Sequence, residues 1–167
     1  MIAPQPIAES RNYQMVLGGL LRMHQLTLDG QYESPEADAL RDSMSEPWEG
    51  LSNAERERVT GLSQDLYEIS DGDSSRVAEP MNVQAQWKLN QAYEARERGE
   101  WDRALEVLRR WGKYVPPALL AYLRGTIWRA MGNPQVAAVF FEYAVEIQPY
   151  EENLQGVLLD DMMRPGQ

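Results

Sequence analysis

Few residues of this chain have the types and spacings from which chemistry is built. The sole histidine, His24, falls on an apolar stripe with no second histidine and no sequence-local carboxylate, so it reads as a packed core side chain rather than a base or a ligand. Asp71 and Asp73 alternate like the first ligands of a calcium loop. Arg76, however, stands where that loop needs glycine, and Asn82 where it needs a bidentate glutamate. There is no cysteine, which removes disulfides, thiolate metal sites and sulfur nucleophiles together. No G-x-S-x-G, phosphate-loop or H-E-x-x-H pattern occurs, and no carboxylate pair is selected by spacing. The expectation is a protein that is not an enzyme and holds no metal or cofactor. What remains is the chemistry of recognition, for which the clearest signal is Arg96 and Arg129, 33 residues apart.

That spacing belongs to a repeat. Ala92 recurs as Gly125, Gly99 as Gly132, Ala104 as Ala137, Leu108 as Phe141 and Pro116 as Pro149, each pair 33 residues apart. A period between about 20 and 50 residues points to stacked supersecondary units. In each copy a helical pattern precedes the glycine, a second follows it, and the proline stands after the second, as expected where glycine turns the chain and proline stops a helix.

On these residues, 85–151 resemble two tandem tetratricopeptide repeats. The later copy has Gly125-x2-Trp128, Ala137-x3-Phe141 and Pro149; the earlier has Ala104-x3-Leu108 and Pro116. Both first helices depart from the family pattern. Lys88 and Ala121 stand in place of its tryptophan, Gln91 and Arg124 in place of its leucine, and Ala95 in place of its tyrosine. The resemblance implies an all-α fold: a TPR-like helical-repeat stack with an N-terminal helical segment and a C-terminal capping helix. Carried over in register, it also implies a partner-binding inner surface of Leu89, Tyr93 and Arg96 from one helix and Tyr122, Thr126 and Arg129 from the next. The Lys and Asn pairs of the family's carboxylate clamp are missing from those places, so binding of chaperone tails is not implied.

Packing logic agrees with the repeat. Ala92 and Gly125 allow the two helices of a unit to approach, and Ala104, Ala137 and Ala144 allow neighbouring units to stack. Trp101, Leu108, Trp128, Phe140 and Phe141 supply apolar bulk. Trp111 occupies the place of small Ala144, so either the contact opens there or the ring covers something from outside. A stack of two units needs caps. Leu154, Val157, Leu158 and Met162 form one helical stripe suited to the C-terminal cap.

The front half reads as about three amphipathic helices over residues 1–69. The first carries Tyr13, Leu17, Leu20, His24 and Leu28. The second starts at Ser34-Pro35 and carries Ala37, Leu40 and Met44 before Pro47. The third begins with a capping box at Ser52–Glu55 and carries Val59, Leu62, Leu66 and Ile69. Gly18-Gly19 would allow close helix packing. Pro35 falls where Ala104 and Ala137 sit relative to the turn glycine, which argues for a helical segment outside the repeat. Residues 70–80 read as a polar linker, with repeats and cap over 81–163.

Charge is divided unevenly. Residues 1–80 hold 15 acidic and 6 basic side chains, whereas 81–150 hold 7 and 9. An acidic front half argues against nucleic acid, which requires clustered Lys and Arg. No stretch approaches the roughly 20 apolar residues of a membrane helix, and the N-terminus lacks the pattern of a secretory signal, so the expected compartment is the cytoplasm. The basic residues of the second half read mostly as solvated helix faces, or as groups facing the acidic half or an acidic partner. The function expected is a protein–protein interaction module that holds a peptide or protein partner, with an acidic group or C-terminal carboxylate as one suitable ligand. Two competing readings are that the acidic front helices fill that surface permanently, and that the chain self-assembles into a homo-oligomer through Trp48, Trp87 or Trp111.

Overall fold

Three glycines set the course of the chain. Gly30, Gly99 and Gly132 have φ of 74°, 77° and 93°, a region costly for side-chain-bearing residues. At each, the glycine N–H bonds to the carbonyl three residues back, and the next N–H reaches five back: Gln31 to Leu26 (2.7 Å), Glu100 to Ala95 (2.8 Å) and Asn133 to Trp128 (3.0 Å). This double bond closes a helix and reverses the chain. The computed structural model describes residues 11–72 and 75–147, and these form seven α-helices and one 3-10 turn, with no strand among the described residues. Asp73, Pro149 and the stripe from Leu154 to Met162 lie outside the described residues. The chain divides after Gly72 into two compact units. None of its described helices is long and apolar enough to cross a membrane.

In the first unit, α1 (Arg11–Leu28) packs against α2 (Pro35–Glu49) on one side and α3 (Asn53–Asp71) on another. Tyr13, Val16, Leu17, Leu26, Ala37, Val59, Leu62 and Leu66 are buried together. The stripe of α1 is broader than its spacing indicates, because Val16 and Leu26 join it while Leu28 is exposed. Gly19, not Gly18, makes the close approach, lying against the Met44 side chain. Ser34 caps α2 by accepting the Ala37 N–H at 3.1 Å, which leaves Pro35 at the first helical position where its missing N–H costs nothing. The capping box of α3 is complete: Ser52 Oγ accepts the Glu55 N–H (3.1 Å) and Glu55 Oε1 accepts the Ser52 N–H (2.9 Å). One expectation fails locally. α2 runs through Pro47 to Glu49, since the proline sits in the last turn, its ring is buried, and Gly50 closes the end onto the Glu46 and Pro47 carbonyls. α3 in turn continues through Ser70 to Asp71.

The described residues of the second unit form two helical hairpins. One is α4 (Val83–Glu97) with α5 (Trp101–Trp111); the other is α6 (Pro117–Ala130) with α7 (Pro134–Ile147); α5 packs on α6. Ala92, Ala104 and Ala137 are buried at the close approaches, and Trp128 and Phe140 fill the interior without exposure. A methyl group on Gly125 would come within 2.5 Å of the Phe141 ring, so this hairpin is as tight as glycine allows. Trp111 ends α5 half-buried and stacks on Tyr114 (centroids 6.0 Å apart, planes 25°), at the position where the later copy buries Ala144.

Residues 76–82 are held by this unit. The Glu79 N–H donates to the Lys113 carbonyl at 2.9 Å, Arg76 Nη2 to the Gly112 carbonyl at 3.2 Å, and Asn82 Nδ2 to the Tyr114 hydroxyl at 3.4 Å. Asn82 also caps α4, accepting the Ala85 N–H at 2.8 Å.

Candidate functional site

The six residues assigned to a partner-binding surface fall into three environments. Leu89 is buried in the core beneath α4. Tyr93, Arg96 and Thr126 come together where α4 meets α6: Arg96 Nη1 donates to Thr126 Oγ1 at 3.1 Å, and its guanidinium lies 5.5 Å from the centre of the Tyr93 ring. Thr126 is fixed in turn, donating to the Leu123 carbonyl at 2.7 Å. Tyr122 and Arg129 instead turn toward α7, where both meet Phe141. The Tyr122 and Phe141 rings are 5.1 Å apart, and the Arg129 guanidinium lies 5.3 Å over Phe141. The two arginines related by the repeat therefore do different things, because Gly125 lets the α7 aromatic ring rise beside one of them. The crevice at Tyr93 and Arg96 has a volume of about 10 Å³, room for about one water. Recognition on this face would be by a surface of aromatic rings and guanidinium edges, without a cavity.

Arg124 departs from the reading of the basic residues as solvated faces. It is 1% exposed, on a helix buried against neighbours for most of its circumference, so its aliphatic stem is core material. No group of three or more His, Asp or Glu among the described residues is arranged to hold a metal ion.

Two sizeable hollows lie in the first unit, at a place the sequence did not single out. α2 and α3 both rest on α1, and between them runs a groove made of two adjoining hollows of about 480 and 460 Å³ that share Leu20, Arg41 and Ser63. The first hollow has an apolar floor of Val16, Leu20, Met44, Trp48 and Val59, edged by Ser45, Glu49, Thr60 and Gln64. The second is more polar and includes His24, Thr27, Tyr32, Tyr67, Ser70 and Asp71.

Arg41 stands at the junction of the two, bound to Asp38 at 2.9 Å and to the Tyr32 carbonyl at 2.5 Å, with its guanidinium 4.5 Å over the Tyr32 ring. At the opposite end Arg56 donates to the Glu49 carbonyl at 2.9 Å and lies 5.9 Å over Trp48. Burial lowers the pKa of His24 by penalising the imidazolium. The Tyr67 pKa is raised, first by its hydrogen bond to Asp71 and then by that carboxylate's charge. The available sequence signal for this groove was the run Thr60, Ser63, Gln64 and Tyr67 beside the apolar stripe of α3, small polar groups on a face bordering the core.

Compared with protein-family models, with curated proteins and with solved structures, the chain has no match in any of the three.

Proposed function

We propose that this protein is an interaction module: an all-α scaffold whose second unit is a pair of TPR-like hairpins, and which holds a segment of a protein partner. The observation that carries this reading is the groove of the first unit. It has the dimensions and the mixed lining of a recognition site, an apolar floor with a few polar groups to fix orientation. The repeat reading is supported by the matched glycine turns at Gly99 and Gly132 and by the small residues Ala92, Ala104, Gly125 and Ala137 at close approaches. Tyr93 with Arg96, and separately Tyr122 with Arg129, offer a second, shallower pair of aromatic and guanidinium contacts, each suited to an acidic side chain or a C-terminal carboxylate. A cytoplasmic setting fits the lack of cysteine.

Selection from a random-peptide library tests the proposal. Enriched peptides should lose binding to a Ser63→Trp variant, which fills the groove, or to an Arg96→Ala/Arg129→Ala double variant, which strips the second surface. A library that yields no peptide sensitive to either variant would overturn the reading. Self-assembly is the second reading, favoured by Val83 and Trp87, one helical turn apart on α4 and 88% and 58% exposed. Sedimentation analysis decides it: a dimer that dissociates on Trp87→Glu would replace partner binding as the main conclusion.

A further inference from the structure

We infer that the groove of the first unit takes an amphipathic helix with lysine and arginine along its flanks. This rests on the groove reading above and names the occupant. Along α3 the lining runs from Val59 to Asp71, which at 1.5 Å per residue is about 18 Å, the length of about three helical turns. α1 already packs α2 and α3, so a rod laid between those two completes a four-helix arrangement and keeps its own outer face in water. A helix satisfies its backbone internally. An extended segment on this floor would not, because the floor offers apolar side chains instead of a sheet edge.

Charge selects the flanks. On α2, Asp38, Asp42 and Glu49 share with Ser45 a stripe spaced four, three and four residues, and Ser45 and Glu49 line the groove. On α3, Glu57 and Asp71 share with Thr60, Gln64 and Tyr67 a stripe spaced three, four, three and four. Of these five carboxylates, Glu49 and Asp71 line the hollows and Asp38 is paired with Arg41 at 2.9 Å, while Arg56 is turned to the Glu49 carbonyl, so the two stripes keep an excess of acidic groups. An apolar floor between acidic rims complements an apolar stripe between cationic ones. The same rims oppose residues 151–167 of this chain, with four acidic side chains and one basic, and the first unit of a second copy, where residues 11–72 hold 12 and 5.

The test is calorimetric titration of the full chain with three synthetic peptides of about 14 residues, long enough to span the groove. One has a leucine stripe flanked by lysine, one has the same stripe flanked by glutamate, and one has the lysine–leucine composition scrambled so that no stripe forms. The lysine amphipathic peptide should bind one to one, roughly tenfold or more tighter than either other, and should weaken as salt rises. Ser63→Trp should abolish that binding, and Asp42→Asn with Glu49→Gln and Glu57→Gln should weaken it about three- to tenfold, both with unchanged circular dichroism. If Ser63→Trp perturbs the helical signal, Thr60→Arg on the exposed rim takes its place.

Equal binding of the scrambled peptide would mean charge attraction alone and overturn the inference. Equal binding of the glutamate peptide, still blocked by Ser63→Trp, would overturn the cationic occupant while leaving the groove reading intact. Binding of every peptide unaffected by groove variants would remove both. A dimer lost on Ser63→Trp would make a second copy the occupant and overturn the inference as well.

Discussion

The two units are assembled from the same hairpin and finish differently. In the second, the four described helices form two hairpins whose apolar faces answer each other, and the crevice between α4, α5 and α6 admits about one water, at about 10 Å³. In the first, an equivalent glycine turn joins α1 to α2, but the one helix that follows rests on α1 and leaves hollows of about 480 and 460 Å³ beside α2. Among the described residues, the second hairpin closes down on this crevice, whereas a single helix leaves room beside α2. The difference lies in helix number and placement rather than in turn chemistry.

The largest effect expected from breaking the filled unit is at Ala137. Ala137→Trp should cost about 1–3 kcal/mol by overpacking a buried position, whereas Gln135→Trp on the exposed side of α7 should cost far less. Chemical denaturation followed by circular dichroism measures both, and equal losses would contradict the packing described. Next come the turns. Gly30→Ala and Gly132→Ala should each cost about 1 kcal/mol or somewhat more, because both force alanine into the left-handed region. A marked inequality would separate hairpins that the hydrogen bonds make equivalent.

A smaller effect is tied to His24. Its folded pKa lies below the ordinary 6.5, so as pH falls the unfolded chain takes up the proton first. Stability should be unaffected above about pH 7, should decline as pH drops through 6.5, and should level off once the folded imidazole also protonates. His24→Gln should flatten that part of the stability profile, and an unchanged slope would exclude His24 as its source. Smallest of all should be Ser63→Leu, which adds volume where the groove is open and should shift stability by no more than about 0.5 kcal/mol.

The elements were legible where a local interaction determines them. The Ser52–Glu55 capping box, the Ser34-Pro35 start and the turns at Gly99 and Gly132 each rest on bonds made within a few residues, and each reads directly from the chain. Pro47 misled because a proline's cost depends on its distance from the helix end, which the neighbouring residues do not state. The groove was illegible for a broader reason. Met44, Trp48 and Leu20 look like ordinary members of amphipathic stripes, and only the placement of α2 and α3 on α1 decides that part of those stripes faces an opening. Arg124 escaped in the same way, since the degree to which α6 is enclosed depends on all three of its neighbours. The divergent environments of Arg96 and Arg129 follow from one glycine, whose effect lies in the ring it admits rather than in its own position.

The burial of Trp128 has an optical consequence. Its indole has no exposure to solvent, so water cannot relax its excited state and collisional quenchers cannot reach it. Trp48 and Trp87, 36% and 58% exposed, emit from wetter surroundings and remain open to quenching. Acrylamide should therefore strip the red part of the emission first, then that of the half-buried Trp101 and Trp111, and leave last a blue remainder from the interior of α6. Selective loss of that remainder would mark the moment this interior admits water, a native chromophore reporting on one unit without any label.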